Sequence, residues 1–288
     1  MPHCFILIPQ LTGPYQTDQT LTLNNHLITK PFLMKKTLTL MLLSALMVCG
    51  VQELRSQEDS FTPMWESFYI TPDNTKLKEL GESMATHNKK YHKEGPYQAM
   101  VYNVVSGPNM GKMIWQMGPL KFSHLDSRPK SGGHDEDWRD NVMPYVKNLS
   151  HGEYWKQDME LSNTDMMDGN VANTPILHIR FHEVARDHGY SVDHLLKQIS
   201  ETVKAMEGDN PWGVYDNQFR QGYRIGRHLA TVGFLKNYAE YDEPSKFKET
   251  FVQVHGEDSW EPFVEGMSDA MSNSWDEIWE YNAALSGN

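Results

Sequence analysis

The feature that most constrains this chain is that its second part repeats its first. The segment MGKMIWQMGPLKFSHLD at 110–126 matches IGRHLATVGFLKNYAEYD at 225–242 with one single-residue insertion. Glycines stand seven apart in each (Gly111 and Gly118, Gly226 and Gly233), a lysine follows the first glycine by ten (Lys121, Lys236), and an aromatic comes soon after (Phe122, Tyr238). A second pair follows in the same order. Residues 136–163 and 257–288 each open on an acidic cluster with a tryptophan (Trp138, Trp260) and reach another (Trp155, Trp279) in strand-like alternation. Two matches in one order point to a duplicated unit, and a chain carrying one supersecondary unit twice is confined to folds in which the copies stack or close on each other.

Both copies read as the same run of elements. In the first, a strand at 64–71 leads to a helix at 74–92, with Pro72 before it and Asp73 or Asn74 as its cap. Strands at 98–105 and 112–120 flank the turn-forming Ser106, Gly107, Pro108 and Asn109, and a loop at 127–133 leads to a helix at 135–148 and a strand at 153–161. The second copy gives a strand at 176–185, a helix at 191–206, strands at 213–221 and 225–237, a helix at 257–271 and a last strand within 276–285. In the helix at 191–206, Val192, Leu195, Leu196, Ile199 and Val203 keep helical period. The polar interval 163–173 marks the boundary between a first unit at 60–163 and a second at 174–288.

Two βαββαβ units in tandem resemble the ferredoxin-like, dimeric α/β-barrel superfamily, with its antibiotic-biosynthesis-monooxygenase-like, NIPSNAP-like and chlorite-dismutase-like members. The resemblance rests on element order across residues 60–288. It implies an α+β fold of two ferredoxin-like units closed into a pseudo-dimeric barrel with helices outside. Members include cofactor-free oxygenases, haem proteins and proteins without known catalysis, so the fold alone does not choose a chemistry.

The N-terminal region adds a second constraint. From Met34, Lys35 and Lys36 precede an apolar run at 38–51 and a polar stretch ending near Ser56 and Gln57. This is the order of a secretory signal peptide, and the run falls short of the roughly 20 residues that span a bilayer. Residues 1–33 are unlike any part of such a signal, which places the expected translation start at Met34. Cys49 lacks the small preceding residue of a lipoprotein signal. The expectation is an exported protein, periplasmic or secreted, with no transmembrane segment after cleavage.

Cys4 and Cys49 both precede that cleavage zone, so thiol catalysis, disulfides and thiolate metal sites are excluded from the mature chain. The full chain has 26 basic and 38 acidic residues, and the four basic and two acidic residues up to position 57 leave 22 against 36, a net charge of −14. Such a surface repels phosphate backbones, which argues against nucleic-acid binding.

The sharpest local feature is Ile176-Leu-His-Ile-Arg-Phe-His-Glu. Period two sets His178, Arg180 and His182 on one face and Leu177, Ile179 and Phe181 on the other. The expectation is that the apolar face lies under helices while the polar face looks into the barrel. There the imidazoles and a permanent cation would anchor a small-molecule ligand, with His228 on a nearby strand as a fourth group. The alternative is an ordinary solvated polar face. His87, Tyr91 and His92 end the first helix, a haem or metal edge or simply imidazoles favoured by the helix dipole.

No phosphate loop, HExxH, GxSxG or EF-hand loop occurs. No metal site is assigned, no cofactor is required, and haem rests only on the resemblance. The expected function is small-molecule binding with cofactor-free or haem-assisted oxidation as candidate chemistry. The alternative is a non-catalytic, glycan-associated accessory protein using exposed members of the set Trp115, Trp138, Trp155, Trp212, Trp260, Trp275 and Trp279. The sequence gives neither substrate nor oligomeric state.

Overall fold

A computed structural model describes residues 61–128, 132–220 and 228–287. The signal-like segment, Ile225 and Gly226 lie outside them. The strands are β1 (Met64–Pro72), β2 (Ala99–Ser106), β3 (Met113–Leu120), β4 (Val146–Asn163), β5 (Ile176–Val184), β6 (Trp212–Asn217), β7 (His228–Leu235) and β8 (Met271–Tyr281). The α-helices among the described residues are α1 (Leu77–Tyr91), α2 (Phe122–Asp126), α3 (His134–Asp137), α4 (Gly189–Ala205), α5 (Phe247–His255) and α6 (Trp260–Ala270). None is long and apolar enough to cross a membrane.

The eight strands close into an antiparallel barrel in the order β1-β3-β2-β8-β5-β7-β6-β4. The first four strands in sequence are therefore neighbours as β4-β1-β3-β2, and the last four as β8-β5-β7-β6. Closure comes from two seams between these groups, β2 with β8 (Tyr102 opposite Tyr281) and β4 with β6 (Trp155 opposite Asn217). Gly118 and Gly233 both fall in the third strand of their group, and Trp138 and Trp260 both in the helical segment before its last strand.

Alternation along each strand feeds three cores. The barrel interior holds Tyr69, Met100, Tyr102, Ile114, Trp155, Leu177, Ile179, Phe181, Val232 and Trp279. Outside, α1 packs Leu80 and Met84 on Ile70, Val101, Trp115 and Met117. On the other side α4, α5 and α6 pack Leu196, Val203, Phe251 and Phe263 on Val184, Trp212, Val214 and Leu229. Loss of a buried phenylalanine such as Phe251 costs about 3–5 kcal/mol, so the outer layers hold the barrel shut as well as covering it.

Several elements depart from the sequence expectation, among them the short helix α2, the early start of β4, and two helical segments. The helix expected at 135–148 is regular only through α3, widens into a π-type turn at Trp138–Val142, and ends in a 3-10 turn at Met143–Tyr145 before β4 begins. Pro144 accounts for the break, because its ring removes an N–H donor and clashes with the preceding turn. Helix α5 was not expected: only Phe247 and Phe251 of its nine residues are buried, too short a stripe to show a period.

Candidate functional site

The barrel holds a cavity of about 370 Å³ that is partly open to solvent. Its walls are mostly aromatic and aliphatic: Trp65, Trp155, Phe181, Tyr215, Phe234 and Trp279 with Leu177, Ile179 and Val232. The polar lining consists of amides and hydroxyls, from Gln98, Gln116, Gln157, Thr164, Asn170, Thr174, Tyr102 and Tyr215. Among the described residues, no Asp, Glu, His, Lys or Arg lines it. Burial pushes the phenols of Tyr102 and Tyr215 well above the ordinary tyrosine range, so both stay protonated. Gln157 donates to Thr164 Oγ1 (3.0 Å) and Gln116 to Ser67 Oγ (3.1 Å), which fixes the direction of two lining amides.

One wall comes from an unexpected place. The polar interval read as the boundary between units supplies Thr164, Met167, Gly169, Asn170, Val171 and Thr174 to the lining. Asp168 shapes this segment by accepting from the Asn170 amide (2.8 Å) and from Asn173 Nδ2 (2.7 Å), while Asn170 caps the turn by accepting from Ala172 N (3.1 Å). In sequence such Asx-turn chemistry looks the same in a spacer as in a cavity wall.

The strand β5 faces the opposite way from the expectation. Leu177, Ile179 and Phe181 point into the barrel and line the cavity, whereas His178, Arg180 and His182 lie on the outer face. The closed barrel has an interior of its own to fill with apolar side chains, and the polar outer stripe is satisfied by its neighbour β8. Arg180 donates to Asp276 through Nε (2.7 Å) and Nη2 (2.8 Å), and His178 Nε2 lies 3.7 Å from the same carboxylate. Burial opposes the Asp276 charge, but the hydrogen bonds and charges of Arg180 and His178 outweigh it and hold the carboxyl well below its usual range. His182 is buried, with Nδ1 2.8 Å from Ser274 Oγ, and burial first and Arg180 second push its imidazole down to about 3. His228 does not join them. It begins β7 among the rings of Trp155 (5.0 Å between centroids), Trp275 and Phe181.

No protein-family model matches the chain, and no curated protein matches it. Solved structures do. A candidate monooxygenase of Fusobacterium nucleatum subsp. nucleatum matches with a TM-score of 0.51 at 11% identity over 77% of this chain and 93% of that one. A candidate monooxygenase of Lactobacillus acidophilus matches with a TM-score of 0.48 at 10% identity (77% and 94%), and a candidate chlorite dismutase with 0.45 at 7% identity (78% and 97%). At such identities the likeness is one of fold alone.

Haem iron takes an axial His, Cys, Met or Tyr. Among the described residues lining the cavity there is no imidazole or thiol, burial keeps the phenols of Tyr102 and Tyr215 protonated, and the thioethers of Met100 and Met167 are the remaining groups of that kind. None of the seven tryptophans considered for glycan stacking is exposed.

Two features were missed in sequence. Glu153 and Glu277 are buried two residues before Trp155 and Trp279, and each accepts from the indole N–H of that tryptophan (3.0 and 2.8 Å). The repeated Glu-x-Trp was readable once those tryptophans were matched. The second is at the end of α1, where the His87 and His92 rings (5.3 Å apart) are joined by His134 of α3, at 5.0 and 5.1 Å. Burial pushes His92 down to about 4 and lowers His87 as well, so both imidazoles are neutral at pH 7.

Proposed function

We propose that this chain is an exported barrel, built from two tandem ferredoxin-like units, that binds a neutral and largely apolar organic molecule in its interior. The observation that carries the reading is the half-open cavity of about 370 Å³ with aromatic walls, a few amide and hydroxyl groups and, among the described residues, no ionisable lining group except two protonated phenols. A pocket of this size and lining is characteristic of small-molecule sites. A charged ligand would lose its hydration without gaining a counter-ion, so neutrality follows from the lining. The strand orders β4-β1-β3-β2 and β8-β5-β7-β6 support the tandem reading. The fold likeness to a candidate monooxygenase makes oxidation of the bound molecule the enzymatic form of this function. In that form Tyr102 and Tyr215 act as hydrogen-bond donors to the substrate, and no lining carboxylate or imidazole serves as a base.

Trp65, Trp155 and Trp279 line the cavity, so ligand entry reads out as a change in tryptophan emission. The purified chain is expected to retain or take up neutral aromatic compounds in native mass spectrometry and fluorescence titration, and Ala230→Trp, which fills the cavity, is expected to abolish uptake while the barrel stays folded. Uptake by Ala230→Trp equal to the parent, or binding confined to charged compounds, refutes the reading. Export is tested by N-terminal sequencing of the secreted or periplasmic form, which is expected to begin between about residues 50 and 60.

A further inference from the structure

The three histidines at the end of α1 lie outside the barrel and outside the proposed ligand cavity. His92 packs edge-on against Trp115 (5.0 Å between centroids), whose side chain belongs to the outer core under α1. One ring nitrogen from each of His87, His92 and His134 lies within 4.8 Å of the other two. What distinguishes the group from a chance cluster is how the remaining nitrogens are held. His87 Nδ1 is 2.7 Å from Asp137 Oδ2, His92 Nδ1 is 2.8 Å from the Tyr97 carbonyl, and His134 Nδ1 is 2.7 Å from Asp135 Oδ1. A carbonyl or carboxylate oxygen only accepts, so each Nδ1 carries a proton, and the Nε2 atom is the one each ring can offer to a ligand.

In neutral rings those Nε2 atoms do not find donors within the protein. His92 Nε2 and His134 Nε2 approach to 3.0 Å with no proton of their own to share, and His87 Nε2 is buried in a fully buried side chain with no hydrogen-bond partner. A buried acceptor without a donor costs about 1–3 kcal/mol, and two facing lone pairs repel, so a cation at their centre would satisfy all three atoms at once. We infer that His87, His92 and His134 bind one divalent transition-metal ion of the zinc type through their Nε2 atoms.

The outer shell fits that assignment. Histidine ligands characteristically donate their other N–H to a carboxylate or carbonyl, which fixes the ring and raises its basicity, and all three rings do so here. Asp137 is itself held by Asn141 Nδ2 (2.7 Å). Neutral imidazoles suit zinc, cobalt, nickel and copper rather than magnesium or calcium. Three protein ligands leave one position for an exchangeable water or small anion, the arrangement of catalytic rather than purely structural zinc sites. That position opens beside His134, whose side chain is 16% exposed, next to Tyr91. The ion would also tie α3 to the end of α1.

The competing arrangement of the same atoms is a charged pair, in which His92 or His134 is an imidazolium that donates Nε2–H to the other. The two are separated by titrating the untagged full-length chain, stripped with chelator, with Co2+ followed by visible absorption and with Zn2+ in competition. The expected result is saturation at one equivalent, with the ligand-field bands of a four- or five-coordinate site. His134→Gln, a change at the most accessible ligand, is expected to weaken binding at least 100-fold while leaving the unfolding midpoint of the metal-free protein unchanged. Asp135→Asn keeps every ligand and is expected to weaken it about 10- to 100-fold. The inference is overturned by the absence of saturable binding at one equivalent, by full binding in His134→Gln, or by an Nε2 proton on His92 or His134 that persists in NMR spectra at saturating Zn2+.

Discussion

Replacing Gly118 and Gly233 separately by alanine probes whether the two glycines shared by the repeats do the same job. At Gly118 the backbone φ is +149°, and an added Cβ would lie 2.7 Å from the Met64 carbonyl oxygen and 2.9 Å from Trp65 Cδ1. At Gly233 the nearest atom, the His178 carbonyl oxygen, is 3.9 Å away, ordinary contact. An L residue held in an unfavourable backbone region costs about 1–3 kcal/mol. Forcing β1 away from the new methyl adds about 1–3 kcal/mol of overpacking. The reduced entropy of the unfolded chain returns about 0.4–1 kcal/mol. Gly118→Ala is therefore expected to destabilise by about 1–5.5 kcal/mol, a fall of roughly 2–20 °C in Tm for a domain of this size. Gly233→Ala is expected to stay within about 0.5 kcal/mol of the parent or to gain slightly. Urea unfolding of both variants measures the difference directly. Because Trp65 lines the cavity, Gly118→Ala should also shift its emission. Equal midpoints for the two variants would refute the close-approach argument.

Two further outcomes follow from the outer face of β5. Arg180→Met and Asp276→Asn, taken singly, should each cost about 1–2 kcal/mol once the 41% exposure of the Asp276 side chain is allowed for, and the double variant should cost less than their sum. A double-mutant cycle with no coupling would show the ion pair to be ornamental, and cavity binding should be unchanged throughout. His182 titrates at about 3 when folded against about 6.5 unfolded, so the unfolded state binds more protons between those values. Its contribution is complete above about pH 6.5 and is lost as pH falls toward 3, by up to about 1.4 kcal/mol per unit. His182→Gln should flatten the dependence of unfolding free energy on pH between 6 and 4, and an unchanged slope would contradict the assignment.

The element order was legible in the sequence because period and punctuation are local. The alternation of 176–183, the helical stripe of 191–206 and the turn at 106–109 each depend on residues within one or two turns of each other, and all lie where they were expected. The expectation of a barrel covered by helices was legible as well. Helix α5 and the break at Pro144 were less legible, since burial of Phe247 and Phe251 against α4 and α6 is a contact with distant chain.

The sites divide in the same way. The sequence determined which residues of β5 share a face, but period two has no sign, and both faces of a barrel strand are covered. Only closure, through β2 with β8 and β4 with β6, decided that the apolar face looks inward onto the cavity and that Arg180 meets Asp276 outside. His87 and His92 stood out at the end of one helix, whereas His134 joins them from 42 residues further on, across a loop whose composition carries no metal signature. A repeat and an alternation are written in nearest neighbours along the chain. A cavity and a converging set of lone pairs exist only between segments far apart in it, and the tertiary structure alone brings those together.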